Sequence, residues 1–298
     1  MIAFMFPGQG SQKRGMGQGL FDEVREYAAV EKDVDAILGY SLRKLCLEDA
    51  ENRLKETQFT QPSLYVVNAL HYYKVVNQGM HPAYLVGHSL GEYNALLAAG
   101  VFDFLTGLRL VKKRGELMSQ AKNGAMGAVI GLDASAIAKV IRENGLASID
   151  VANFNSPSQT VVSGPVEDIR RAGPLFEKGG ARMYMPLPVS AAFHSRYMAD
   201  AGSAFADFLA PMSFAAPKAP VIANATAQPY PTDNASESVK SLLVKQITHS
   251  VQWVQSIDFL INQGVTQFSE MGPGNVLTRL VQQIQQAKDS QSVATIAG

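Results

Sequence analysis

Residues 84–92 read Tyr-Leu-Val-Gly-His-Ser-Leu-Gly-Glu, a short apolar strand that runs directly into a serine flanked by glycines. A helical pattern follows over residues 92–99, and Gly100 stands where a helix would end. Gly-x-Ser-x-Gly between a strand and a helix is the nucleophile elbow, in which a sharp turn presents the serine Oγ at a helix N-terminus. Unpaired N–H groups there favour a developing negative charge. The stretch therefore predicts an α/β protein with Ser89 as its nucleophile.

The same order of strand, loop and helix continues on both sides of the elbow. Residues 2–6 predict a buried strand, and residues 104–121 predict a helix. This alternation predicts a mainly parallel sheet covered by helices. Residues 122–189 instead have the order β-α-β-β-α-β, which is that of a ferredoxin-like unit. We therefore expect a large catalytic domain from residues 1–121 and 190–286, an inserted small subdomain from residues 122–189, and a flexible tail from residues 287–298.

The composition excludes several classes of protein. The chain has 298 residues, 47% of them hydrophobic and only 17% charged, with 26 basic and 26 acidic side chains. A net charge of zero argues against nucleic-acid binding, which depends on neutralising phosphates. No run approaches the ~20 apolar residues that span a bilayer, so no membrane partner is expected. The single cysteine, Cys46, excludes an internal disulfide and a cysteine-built zinc site, so we expect no metal. So few cysteines are also typical of a cytoplasmic protein.

A serine hydroxyl needs a base, and the chain offers five histidines. His194 follows an apolar stretch where the inserted unit returns to the large domain, and it follows the serine in chain order as the base does in α/β hydrolases. Chain order alone does not select it over the other four. No acidic residue between the serine and His194 stands out as a third member, so a Ser–His dyad is the simpler interpretation. A carbonyl could then hold the imidazole tautomer.

Arg114 falls within the apolar stripe of the helix over residues 104–121, whereas Lys112 and Lys113 lie off it. A buried arginine needs a partner or a polar cavity. One interpretation is a structural ion pair with an acidic side chain. The other is a planar fork that binds a substrate carboxylate, for which arginine is better shaped than lysine.

The loop at residues 7–12, Pro-Gly-Gln-Gly-Ser-Gln, is glycine-rich but lacks the spacing of a nucleotide-binding motif. Beside the elbow it could supply a second backbone N–H to an oxyanion. Hydrolases of this plan take one such N–H from the residue after the nucleophile and another from a different strand-end loop.

Together these residues resemble the malonyl-CoA:acyl-carrier-protein transacylase family. The sequence is more similar to the stand-alone members of this family that serve polyketide synthases. The resemblance covers nearly the whole chain through an ordered series of motifs: FPGQGSQ (6–12), TQPSL (60–64), GHSLGE (87–92), RGELM (114–118), NFNSPSQTVVSG (153–164), AAFHS (191–195), QITHSVQW (246–253) and SEMGPGNVLTRL (269–280). It implies an α/β-hydrolase-like large domain with an inserted ferredoxin-like subdomain. His249 and Ser250 depart from the family, in which many members have Asn-Pro there.

The resemblance also implies a role for individual residues. Ser89 is the acylated nucleophile, His194 its base, and the backbone carbonyl of Gln246 orients the imidazole. The N–H groups of Gln9 and Leu90 form the oxyanion hole. The substrate-binding residues are Arg114, which holds the malonyl carboxylate, and Gln61, His88, Met118 and Phe193.

The implied function is transfer of malonyl from malonyl-CoA to the phosphopantetheine thiol of an acyl carrier protein, for polyketide or fatty acid synthesis, with coenzyme A as part of the substrate and no tightly bound cofactor. Leu90 and the run Ala192-Phe193-His194 favour malonyl over methylmalonyl, because methylmalonyl-type members tend to carry Gln and Ala-Ser-His at these places. An editing hydrolase that frees stalled acyl groups from carrier proteins is the alternative, but it has no use for a buried arginine. A non-catalytic module that docks carrier proteins would leave the elbow unexplained.

Overall fold

The computed structural model describes the backbone of residues 1–296 and the side chains of residues 1–290. Two strands and seven α-helices precede residue 122. In chain order they are β1 (Ile2–Phe6), α1 (Leu20–Glu23), α2 (Arg25–Ala28), α3 (Glu31–Leu38), α4 (Leu42–Glu48), α5 (Thr57–Asn77), β2 (Tyr84–Gly87), α6 (Gly91–Ala98) and α7 (Phe104–Gln120).

The middle of the chain forms a sheet of its own. Its elements are β3 (Gly124–Ile130), α8 (Ala134–Glu143), β4 (Asp150–Ser156), β5 (Gln159–Pro165), α9 (Val166–Lys178) and β6 (Met183–Pro186). The strands pair antiparallel in the order β4-β5-β3-β6, which is the ferredoxin-like arrangement. All four strands fall within residues 122–189, the predicted insert.

The chain then returns to the large domain. The remaining elements are α10 (Ala199–Leu209), β7 (Val221–Ile222), α11 (Ala235–Thr248), α12 (Trp253–Asn262), β8 (Gln267–Glu270) and α13 (Val276–Ile296).

Two features of this last part differ from the sequence expectations. Strand β8 was not expected, because Phe268 is its single apolar residue and it lies at the edge of the sheet. The sequence pattern predicts a final helix over residues 276–286, and that end is wrong, because α13 continues to Ile296 and no glycine or proline interrupts the chain after Gly274 until Gly298. The flexibility expected of residues 287–298 stays a prediction, and residues 297 and 298 lie outside the described part of the chain.

The large sheet is parallel throughout, in the order β7-β2-β1-β8. Alternate side chains of β1 point to opposite faces, so Phe4 and Phe6 join one buried cluster while Ala3 and Met5 join another. Helices therefore cover both faces, as an apolar parallel strand requires. The predicted α/β class, with a mainly parallel sheet and a separate ferredoxin-like unit, is confirmed.

The register of β1 against β2 places the loop at residues 7–12 beside the elbow. Phe6 at the end of β1 pairs with Gly87 at the end of β2. The loop at residues 7–12 and the elbow therefore leave the same edge of the sheet together, at the carboxyl ends of the strands, where α/β proteins bind their ligands. The small sheet closes over this edge through Val251, whose N–H and C=O bond the backbone of Ala152 and Phe154 at 2.8 and 3.0 Å.

Cys46 is buried and has no disulfide. The described residues contain no group of three or more histidine, cysteine or acidic side chains arranged to hold a metal ion. None of the helices in the described chain combines the length and the apolar character that crossing a bilayer would take.

Candidate active site

The elbow is built by close backbone packing. Ser89 has a φ of 51°, in the left-handed region that side chains other than glycine rarely adopt. A Cβ on Gly87 would overlap the carbonyl group of Gly91, and a Cβ on Gly91 would overlap the carbonyl oxygen of Phe6. Only glycine fits at these two places, and the strained turn holds the serine side chain out at the start of α6.

Asn224, which follows β7, holds the turn from the neighbouring strand. Its Oδ1 accepts a hydrogen bond from the Ser89 N–H at 2.6 Å, and its Nδ2 donates to the Gly87 carbonyl at 2.6 Å. One buried amide thus bonds both sides of the turn. This fixes the position of the serine without using its hydroxyl.

His194 lies next to that hydroxyl. Its Nε2 is 2.8 Å from Ser89 Oγ, and its Nδ1 is 2.9 Å from the backbone carbonyl of Gln246. Burial, and then the charge of Arg114, lower the pKa of His194 to about 3. The imidazole is therefore neutral at pH 7, with Nδ1–H donating to the carbonyl and Nε2 free to accept the serine proton. No carboxylate bonds His194 within the described residues, so the arrangement is that of a dyad with a carbonyl as its third member.

Arg114 reaches the nucleophile from α7 and is 1% exposed. Its Nη1 donates to Gln61 Oε1 at 2.8 Å. Its Nη2 donates to Gln246 Oε1 at 2.9 Å and to Ser89 Oγ at 3.1 Å. Burial lowers the pKa of the guanidinium, although arginine stays charged in proteins. In the part of the chain that the structure describes, no acidic side chain pairs directly with it, so the structural ion pair left open by the sequence is not present.

A cavity of about 110 Å³ opens at these groups. Nine of the ten predicted site residues line it: Gln9, Gln61, His88, Ser89, Leu90, Arg114, Met118, Phe193 and His194. The tenth, Gln246, is fully buried and bonds both the base and the guanidinium. Four lining residues were not predicted, namely Met126, Asn153, Leu187 and Val189, and all come from the small subdomain or from the segment that follows β6.

His88 lines the cavity but bonds the small subdomain instead of the dyad. Its Nε2 lies 2.9 Å from Asn155 Oδ1, and its ring centre is 5.5 Å from that of Trp253. Burial lowers the pKa of His88, so the ring is neutral and donates to the amide oxygen. It shapes the cavity wall where the two domains meet.

The two backbone N–H groups expected to form an oxyanion hole have no other task. Gln9 and Leu90 both border the cavity beside Ser89. Neither N–H donates to another group among the described backbone and side chains. Both are therefore free to donate to a ligand.

Three functional neighbours escaped the sequence analysis: Glu92, Asn224 and Tyr230. Glu92 stands at the end of a motif and at the start of a helix, where an acidic residue is common, so its local sequence does not mark it as buried. Asn224 comes two residues after β7, at the carboxyl edge of the sheet where ligand-binding groups lie. Tyr230 lies in a loop, and nothing in its local sequence marks it.

Known proteins are similar to this chain along most of its length. Residues 3–298 match the family model described as the acyl transferase domain. The polyketide biosynthesis malonyl CoA-acyl carrier protein transacylase BaeC of Bacillus velezensis is 51% identical over 286 residues, covering 95% of this chain and 96% of that protein. The malonyl CoA-acyl carrier protein transacylase of Escherichia coli is 40% identical over 292 residues, covering 95% and 92%.

Solved structures agree with the sequence relatives. A malonyl CoA-acyl carrier protein transacylase from Burkholderia pseudomallei superposes with a TM-score of 0.90 at 48% identity, covering 96% of this chain and 98% of its own. A malonyl-transacylase solved in complex with its type II polyketide acyl-carrier protein, PlMCAT with AntF, gives 0.89 at 36% identity, covering 95% and 92%. The chain therefore belongs to the acyl transferase domain family and, within it, to the malonyl CoA-acyl carrier protein transacylases.

Proposed function

We propose that this protein moves a malonyl group from malonyl-CoA to the phosphopantetheine thiol of an acyl carrier protein, through an ester on Ser89. One observation carries the proposal: a buried guanidinium without a carboxylate partner lies 3.1 Å from the nucleophilic oxygen. An acyl group with a free carboxylate at its far end can form an ester with Ser89 and pair with the Arg114 guanidinium at the same time.

The first half-reaction forms the ester. Ser89 Oγ attacks the thioester carbonyl carbon while His194 Nε2 takes the hydroxyl proton. The N–H groups of Gln9 and Leu90 stabilise the tetrahedral oxyanion, and each such donor is worth ~10²–10³ in rate. As the carbon–sulfur bond breaks, His194 returns the proton to the leaving sulfur. Coenzyme A departs as a thiol and malonyl-O-Ser89 remains, its carboxylate paired with Arg114.

The second half-reaction repeats these steps with a different thiol. His194 takes the proton of the carrier thiol, whose sulfur attacks the ester carbonyl. The carbon–oxygen bond to Ser89 breaks, and His194 protonates the departing Oγ. The enzyme is then in its starting state and malonyl is a thioester of the carrier. No tightly bound cofactor enters either step.

The pathway proposed is polyketide synthesis, because identity is higher to the polyketide relative than to the Escherichia coli transacylase, 51% against 40%. A cytoplasmic location stays the expectation of the sequence.

Intact-protein mass spectrometry with malonyl-CoA should show one malonyl adduct that Ser89→Ala abolishes. Added carrier protein should remove the malonyl group from the enzyme and become malonylated itself. Free malonate in place of malonyl carrier would contradict transfer and favour the editing hydrolase.

A further inference from the structure

Arg114 is held in place by neutral oxygens, yet a buried carboxylate lies one amide away. Glu92, in the first turn of α6, is fully buried. Three groups donate to it: Tyr230 Oη to Oε1, and Gln246 Nε2 and the Asn224 N–H to Oε2, at 2.6 and 3.2 Å. Glu92 is thus a buried carboxyl group whose oxygens accept three hydrogen bonds, and without these partners its burial would be costly.

These contacts determine which way the Gln246 amide points. Its Nε2 has two acceptors, Glu92 Oε2 at 2.6 Å and the Ser89 carbonyl at 2.8 Å. Its Oε1 therefore faces the opposite way, toward Arg114 Nη2 at 2.9 Å. The flipped amide would set its oxygen against two acceptors and its NH₂ against a guanidinium, so every contact would be repulsive.

The same glutamine meets the base through a different atom. His194 bonds the backbone carbonyl of Gln246, not its side chain. A change that reaches only the side-chain amide should therefore affect Arg114 and the bond to the Ser89 carbonyl, while the bond that orients His194 stays in place. The two functions of Gln246 can be separated by experiment.

We infer that Glu92 is a positioning residue for substrate selection: its carboxylate oxygen fixes the Gln246 amide, and the amide turns Arg114 toward the acyl group on Ser89. The inference rests on the proposed function, because only an acyl group with a free carboxylate needs Arg114. Burial raises the pKa of Glu92 to about 7, against the lowering effect of the hydrogen bonds from Tyr230 and Gln246. A protonated Glu92 can still present one oxygen to Gln246.

The test measures selection rather than activity. Wild type and variants are mixed briefly with equimolar malonyl-CoA and acetyl-CoA, and the ratio of malonyl to acetyl on Ser89 is read by intact mass. Glu92→Leu, which removes the acceptor, should lower this ratio at least tenfold. Glu92→Gln should stay within threefold of wild type, because its oxygen can still accept from Gln246 while its NH₂ donates to the Tyr230 hydroxyl. Glu177→Leu, at an exposed site of the small subdomain, is the matched control.

A double-mutant cycle tests the route. Gln246→Leu keeps the backbone carbonyl that orients His194 but removes the amide, and it should lower the ratio as Glu92→Leu does. Because both changes break one chain of contacts, the double variant should be no less selective than Gln246→Leu alone. Losses that multiply would mean that Glu92 acts by another route and would overturn the inference.

A general loss of packing would slow both substrates equally and leave the ratio unchanged. A folded Glu92→Leu variant whose ratio falls less than tenfold therefore overturns the inference. If that variant does not fold, as judged by circular dichroism, Glu92→Gln decides, and a fall of more than threefold in its ratio overturns the inference. A wild-type protein that takes no malonyl is a failure of the proposed function itself, seen before any variant is compared.

Discussion

Arg114 Nη2 and Ser89 Oγ lie 3.1 Å apart, so the cation and the nucleophile touch before a substrate arrives. The guanidinium donates to the oxygen, which leaves the hydroxyl proton to point at His194 Nε2, 2.8 Å away. When the serine carries an acyl group, the same cation lies beside it. A single side chain can therefore contact the free nucleophile and recognise a carboxylate on the acylated one.

Removing this cation should change selection. Arg114→Ala should lower malonyl loading about 100-fold or more, in the range measured when one partner of a buried charged pair is truncated. Acetyl loading should be spared or improved, because a neutral methyl group no longer faces a buried charge. Single-turnover acylation with each thioester measures both rates.

The matched control for that experiment is Arg109→Ala, which removes an exposed arginine from the same helix. It should leave both rates near wild type. Equal falls of malonyl and acetyl loading in Arg114→Ala would contradict the carboxylate clamp and point to damage at the elbow.

The pH dependence of acylation should lack the usual histidine inflection. A base works while it is neutral, and a pKa lowered to about 3 keeps His194 neutral as the pH falls through 6.5. Acylation by acetyl-CoA, which does not need Arg114, should therefore vary little between pH 8 and pH 5. Stopped single-turnover assays across this range are the measurement, and a tenfold loss centred near pH 6.5 would show that His194 titrates normally.

The oxyanion hole depends on close contact between two loops. A Cβ on Gly8 would overlap the His88 carbonyl oxygen and lie 3.6 Å from the Leu90 nitrogen. Gly8→Ala should therefore push the Gln9 and Leu90 N–H groups apart and slow acylation by ~10²–10³, the effect of losing one donor. Acyl transfer should fall alike for malonyl and acetyl, which distinguishes this variant from Arg114→Ala.

Gly202→Ala, in helix α10, controls for adding a methyl group. Its Cβ would meet only a methyl group of Thr248, at 3.3 Å. It should retain wild-type acylation. A Gly8→Ala protein that is equally active would remove the loop at residues 7–12 from the oxyanion hole.

The elbow, Arg114 and the insert could be predicted from the sequence because each has a local signature. Ser89 follows a buried strand and precedes a helix, and Arg114 interrupts an apolar stripe, so both stand out within a few residues of chain. The ferredoxin-like order of the insert is likewise a local alternation of strands and helices. Edge strand β8 has no such signature, because one apolar residue in four gives no period.

The hydrogen bonds behind the site could not be predicted in the same way. Glu92 lies 138 and 154 residues before Tyr230 and Gln246, and only the fold brings it into contact with them. Sequence reasoning treated Arg114 as needing either an ion pair or a substrate. The structure provides a third arrangement, in which a neutral amide separates the guanidinium from Glu92.

Cavity size should determine whether a branched acyl group is accepted. Phe193 is 7% exposed and lines the cavity of about 110 Å³ together with Met118. Phe193→Ser, which reproduces the Ala-Ser-His run, should raise the preference for methylmalonyl over malonyl at least about tenfold, because one methyl group in a fitted pocket is worth ~10–200-fold. Competition between the two thioesters, read as the mass of the Ser89 adduct, measures it. Phe193→Leu keeps most of the bulk and should retain the malonyl preference. If the serine variant is folded, binds malonyl and still rejects methylmalonyl, the methyl group is excluded by another wall, and Met118 is the next residue to shorten.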